Sequence, residues 1–470
     1  MSSAGTLERF TESVGPIVVK EVRQGLRARV FAIFFGILLS ACFAIALVAI
    51  GDVSGFAGAT AGRGFFASFI TALGCVTFFV IPFTAFRSMV RELEDETWVL
   101  LTLTGLGAHS ITRGKWVSAM SQSLLFSSAC APYVLFSYFL NGVDIVQLVS
   151  ALLLAAAWSA LLTALAIAIA TQAESKLGRT LAHFVVLGAL GLGAAMGIGF
   201  AWLLSEEGQR IASSVPFRNA VIGLFVFSSA LTWLLLQCAA AGLALPSENA
   251  AAGPRRALFF VVMGALAFGV TVFVTSGGRP RDALPGQILI CMFLALCSIF
   301  ASSERDGWPR QAATGGLLKA GAERSFWLMV VLVAASTAVW GGLWWQGGGS
   351  ERELRGLLAA AFYPLLYMSL GVIVGRLSPL RRLGDPRATR VAYFLMLTLG
   401  VVLSVVFSLV VDGRVEGRVA NSLNPLIGMV NFLERSSSEM NTALVVCGST
   451  TVLALFLAAL TLRSRDEVRT

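Results

Sequence analysis

Long apolar runs alternate with short polar segments along almost the whole chain. Twelve runs are long enough to cross a bilayer, at about 30–50, 65–86, 116–140, 145–171, 180–204, 219–245, 257–275, 283–302, 326–346, 356–375, 391–411 and 443–462. A span must cover about 30 Å of hydrocarbon, which takes about 20 residues of helix, and lipid offers no partner to a free backbone group. The pattern predicts an all-α, polytopic transmembrane protein. Two polar segments carry a periodicity of their own. In 15–29, Pro16 stands where helices tend to begin. Ile17, Val18, Val22, Leu26 and Val30 then recur at helical spacing against Lys20, Arg23 and Arg27. This predicts an amphipathic helix lying in the membrane interface. In 87–115, RSMVRELEDETWVLLTLTGLGAHSITRGK, a charged helix follows the second span, Gly105 and Gly107 break it, and Ser110 restarts the chain toward the third. Leu93, Thr97, Leu100 and Leu101 share one arc of that helix, while Glu92, Asp95 and Glu96 fall opposite, with Glu94 as the exception.

Composition agrees with a membrane class. Of 470 residues, 57% are hydrophobic and 13% charged, and the mean hydropathy of +0.81 lies outside the soluble globular range. The net charge of +9 would suit nucleic acid, but its placement points elsewhere. With a cytosolic N-terminus, the inner segments hold 25 of the 35 Lys and Arg residues. The positive-inside rule then sets the orientation, with both termini cytosolic, and uses up the excess charge as topology, so no nucleic-acid partner is predicted. The seven cysteines lie in or beside apolar runs without metal-ligand spacing and read as small core residues. The first 29 residues are mostly polar and the apolar run after them continues for about 20 residues, so no cleavable signal peptide is predicted.

Within the spans, Ala189, Gly193 and Gly197 form a small-residue face suited to close helix packing, and Pro132 is tolerable as a kink. His183, near the inner end of the fifth span, reads as a satisfied polar residue. The apolar stretch 424–433 in the longest outer loop suits a short helix dipping into the outer leaflet. The stretch 246–256, with Pro246, Gly253 and Pro254, is the expected linker between two six-span regions. It separates a core at 30–245 from a second region at 257–470, with 1–29 as the cytosolic N-terminus.

Several chemistries are absent. No GxxxxGK[ST] phosphate loop exists, since His109 stands five before Gly114 and Trp116 follows Lys115. There is no HExxH, no metal site, no serine–histidine pair and no paired intramembrane aspartates, so no catalytic residue is assigned. Asp and Glu sit in loops or at span ends, which disfavours an ion-coupled carrier. The architecture is that of a transporter without a visible energy source.

The N-terminal run Gly-Pro-Ile-Val-Val-Lys-Glu-Val-Arg-Gln-Gly-Leu-Arg resembles the interfacial helix that opens membrane subunits of the ABC type-2 permease family. The run Glu-Thr-Trp-Val-Leu-Leu-Thr-Leu-Thr-Gly-Leu, followed by Ile111, Gly114 and Lys115, is similar to that family's cytosolic coupling segment. The motifs cover about residues 15–140, and span count extends the likeness to about 245. The resemblance implies that Glu92, Glu94, Glu96, Thr97, Leu106, Gly114 and Lys115 lie in or support a surface docked on an ABC ATPase subunit. Lys20, Glu21 and Arg23 would lie on the interfacial helix beside it. It also implies an exporter in the inner membrane of a bacterium, with ATP and Mg bound by the partner ATPase and no cofactor on this chain. Membrane lipid and a second permease chain, identical or related, complete the expected partners. Two positions depart from the family pattern: Gly105 replaces a proline and Gly107 a serine. The alternatives are a non-transporting scaffold that kept the permease architecture and, behind it, the ion-coupled carrier.

Overall fold

The computed structural model describes residues 16–51, 61–95, 107–140, 143–173, 176–211, 215–244, 250–275, 277–278, 283–302, 321–377, 393, 395–403, 405–406, 423–425, 427–434 and 438–463. Almost all of these are helical, and no strand occurs among them. Nine helices among the described residues are long and apolar enough to cross a membrane, and a shorter apolar helix covers Leu284–Ile299. The third predicted span forms a long helix too, but its serines and Gln122 dilute its hydropathy. The predicted eleventh, 391–411, is only partly described. The chain divides into two compact units, Met1–Ala257 and Leu258–Thr470.

The first unit begins with α1 (Pro16–Arg27) and α2 (Arg29–Gly51). Next come α3 (Ala61–Gly74), a π-helical turn at Cys75–Val80 and α4 (Ile81–Glu94), which run on without a break. Then follow α5 (Ala108–Phe139), α6 (Ile145–Thr171), α7 (Lys176–Ile211) and α8 (Val215–Leu243), and α9 (Ala252–Thr275) crosses the boundary between units. α6 is the hub, packing on α4, α5, α7 and α8. Its buried alanines, among them Ala164, Ala166, Ala168 and Ala170, let neighbouring backbones approach closely. Its start is fixed by a capping box, in which the Asp144 N–H donates to Gln147 Oε1 at 3.0 Å and the Gln147 N–H donates to the Asp144 side chain; separately, Gln147 Nε2 donates to the Leu204 carbonyl at 3.1 Å. α2 is the opposite case, with Ile33, Ile37, Phe43, Leu47 and Val48 all exposed, as expected of a lipid-facing helix.

The π turn sits in the middle of the second span. Such a turn shifts the helix register by one residue and disturbs its hydrogen-bond ladder. Here the backbone is served from outside: Ser159 Oγ donates to the Thr77 carbonyl at 2.9 Å, and Ser159 and Ser123 Oγ lie 3.1 Å apart. Because the Ser159 proton is committed to Thr77, Ser123 is the donor to Ser159. Across the turn, α7 brings its small face. A Cβ at Gly197 would stand 2.8 Å from Trp158 and 2.9 Å from Phe78, and one at Gly193 would stand 2.6 Å from Leu162. Trp158 Nε1 donates to the Gly193 carbonyl at 2.9 Å, which holds α6 and α7 together. Ala189, on the same stripe, is half-buried. The expected kink residue Pro132 lies inside α5, which continues through it.

The second unit holds α10 (Ala283–Ser302), α11 (Ala322–Gln346), α12 (Glu351–Leu377), α13 (Ile427–Glu434) and α14 (Ser438–Arg463), besides most of α9. α12 is its hub, touching α10, α11, α13 and α14. The short helix expected in 424–433 is α13, which buries Phe432. Polar groups of α10 and α11 are paired with one another: Ser336 Oγ donates to Gln287 Oε1 at 2.6 Å, and Gln287 Nε2 donates to Thr337 Oγ1 at 3.0 Å. Residues 303–320 lie outside the described residues.

Candidate coupling region

The predicted coupling segment is built differently from a loop. α3, the π turn and α4 together make a helix whose stretch Gly62–Glu94 is 33 residues long. At a helix's rise that is about 50 Å, well beyond the hydrocarbon thickness, and its α4 end carries the charged residues Arg87, Arg91, Glu92 and Glu94. α4 ends at Glu94, where the Asp95 N–H donates to the Arg91 carbonyl at 2.9 Å. α5 starts at Ala108, so Gly114 and Lys115 lie in its second and third turns, both buried. Glu96, Thr97 and Leu106 lie outside the described residues.

Lys115 is the centre of the region. Its side chain is only 4% exposed, and its ammonium meets three acceptors: Glu92 Oε1 at 2.7 Å, Ser88 Oγ at 2.9 Å and Glu21 Oε2 at 3.5 Å. An ammonium has three donors, so this arrangement satisfies it. Ser88 and Glu92 are one turn apart on α4, and Glu21 comes from α1. The burial follows from the helix wheel of α5, where Ile111, Lys115, Ser118 and Ala119 share one buried face. α1 closes over that face. A Cβ at Gly25 would meet the Gln122 amide and stand 3.2 Å from Ser118 Oγ, so a larger residue there would require the Gln122 side chain to move aside.

The expected acidic arc therefore divides. Glu92 turns inward to Lys115, whereas Asp95 remains exposed, as does Glu94 outside the arc. The physical reason is the buried ammonium, which without a carboxylate would carry a large desolvation penalty. Leu93 packs against the core as its arc predicts. Glu94 Oε1 lies 3.7 Å from Arg179 Nη1 on α7, a partly solvated pair worth little by itself. Arg179 also heads a small cluster: His183 Nδ1 donates to the Arg179 carbonyl at 2.7 Å, and the His183 ring meets Phe86 edge-on at 4.9 Å.

On α1 the two faces are distinct. Val18, Glu21, Val22, Gly25 and Leu26 are half-buried, while Lys20, Arg23, Gln24 and Arg27 are exposed. Of the residues singled out from the sequence, Glu21, Glu92 and Lys115 are thus brought together and Gly114 sits beside them. Lys20 and Arg23 stand on the opposite side of α1. Ser88 and Arg179 were not anticipated. Ser88 could have been found from its i, i+4 relation to Glu92, whereas no local pattern links Arg179 to Glu94.

Among the described residues no group of three or more His, Cys, Asp or Glu side chains is arranged to hold a metal ion. Comparison of the chain with protein-family models, with curated proteins and with solved structures finds no match.

Proposed function

We propose that this chain is the membrane-spanning subunit of an ABC exporter in a bacterial cytoplasmic membrane, driven by a separate ATPase that docks on the segment between α4 and α5. A second permease chain would complete the pathway. One observation carries the reading: the Lys115 cluster joins α1, the charged end of α4 and the start of α5 through polar side chains. These are the three elements that the resemblance assigns to coupling.

The physical logic is that of a lever. A partner gripping the α4–α5 connection moves the end of a rigid, 33-residue helix. The buried ion pairs hold α1 and the first turns of α5 to it, so the three move as a body and transmit the displacement to the spans behind. Glu94 and Asp95 supply exposed negative charge at the gripped end, which suits a basic groove and would fix register more than affinity. ATP and Mg belong to the partner on this reading.

The test is a pull-down of the tagged full chain in mild detergent, with mass spectrometry of its partners. A Glu94→Lys, Asp95→Lys variant is run beside it. The native chain is expected to retain an ABC ATPase and the variant to lose it at unchanged chain yield. Absence of any ATPase from the native sample overturns the proposal in favour of a scaffold, and equal retention by both chains moves the docking surface elsewhere.

A further inference from the structure

The exposed side of α1 takes no part in the coupling cluster, yet it is chemically organised. Lys20, Arg23, Gln24 and Arg27 fall at i, i+3, i+4 and i+7 and make one stripe. With Val19 and Ala28 they line an open concavity of about 730 Å³ along α1, ending at the junction with α2. The acid of the helix, Glu21, faces the other way and is held by Lys115. Lys20, Arg23 and Arg27 consequently form no salt bridge among the described residues.

The chain continues from this junction into α2. Val30, Ile33 and Ile37 recur at helical spacing and are 45%, 59% and 54% exposed, beginning two residues beyond Ala28. A cationic concavity followed along the chain by a bare apolar helix face has the two-part chemistry of an anionic phospholipid: phosphate at the end of α1, acyl chains along α2. A soluble anion would use only the first part, and an acidic protein would leave the apolar face uncovered.

The geometry points to a seat for an anionic phospholipid at the α1–α2 junction, with Lys20, Arg23 and Arg27 holding the head group and Val30, Ile33 and Ile37 flanking the chains. This inference does not depend on the transport reading. α1 is clamped on its other face by Gly25 and Glu21, so an occupied seat also ties the coupling cluster to the lipid composition of that leaflet.

The experiment is native mass spectrometry of the purified full chain in mild detergent, titrated with phosphatidylglycerol or phosphatidylcholine of the same acyl chains. Inorganic phosphate serves as a soluble competitor. Phosphatidylglycerol is expected to bind in preference to phosphatidylcholine, and Arg23→Gln and Arg27→Gln are each expected to weaken it about fivefold. Arg23→Lys, which keeps the charge, retains binding and guards against a fold defect in the glutamine variants. Millimolar phosphate leaves the bound lipid in place. Equal binding of the two lipids, full phosphatidylglycerol binding by both glutamine variants, or displacement by phosphate alone would each overturn the seat.

Discussion

At the residue scale the informative side chain is Lys115. Expected in or beside a docked surface, it shares its helix face with the buried Ile111 and Ala119, and a buried ammonium needs a carboxylate. The sequence offers many carboxylates, and nothing local selects Glu92 and Glu21. That choice depends on α1 folding back over α5, a contact between residues 94 positions apart. The energetics of such a cluster are asymmetric. Lys115→Met leaves two carboxylates facing a partly buried site without their cation and is expected to destabilise the first unit by about 3 kcal/mol. Adding Glu92→Leu to it removes most of the stranded charge and is expected to recover more than half of that loss. Unfolding in detergent, followed by helix content or by tryptophan fluorescence, measures both. A double variant no more stable than Lys115→Met would mean that the cluster is held by packing and not by charge.

At the element scale, the helices were legible and the irregularities were not. Apolar run length predicted the long helices, and the spacing of Ile17, Val18, Val22 and Leu26 predicted α1, because both signals are local and repeat over many residues. The π turn at Cys75–Val80 has no such signature: CVTFFV is as good an α-helix by periodicity as by any other pattern. What stabilises the turn is a hydroxyl 82 positions away, Ser159, and the aromatic wall of Phe78 and Trp158 against α7. The small-residue stripe on α7 is visible in the sequence, but only the contacts show how tightly its members pack and how open the glycines off it are. Gly197 would place a Cβ against two aromatic rings, whereas a Cβ at Gly199 meets nothing within 4 Å. Gly197→Ala is therefore expected to cost about 1–3 kcal/mol through overpacking. Gly199→Ala should change stability by less than about 1 kcal/mol, with any gain coming from its better helix propensity. Thermal melting of the two variants in the same detergent separates these effects, and similar melting points would remove the close approach of α6 and α7.

At the scale of the whole molecule, the structure supplies helices and ends but no membrane, and the sequence supplies the sign. α1, the end of α4, the start of α5 and Arg179 near the start of α7 gather at one end of the first unit. Lys and Arg predominate in segments assigned to that same side, 25 of 35 over the chain, and translocation of positively charged loops is disfavoured. The coupling region is therefore expected on the cytosolic face, where an ATPase and its nucleotide are found. Two positions make this measurable without disturbing the fold. Gly64 and Gly107 are exposed and a Cβ at either meets nothing within 4 Å, and the helix ending at Glu94 separates them. In intact cells a membrane-impermeant maleimide is expected to label Gly64→Cys, and Gly107→Cys only after permeabilisation, each measured above the labelling of the native chain. The reverse pattern would place the Lys115 cluster outside the cell. An ATP-driven partner could then not reach it, and the lever argued from α1, α4 and α5 would have nothing to push it.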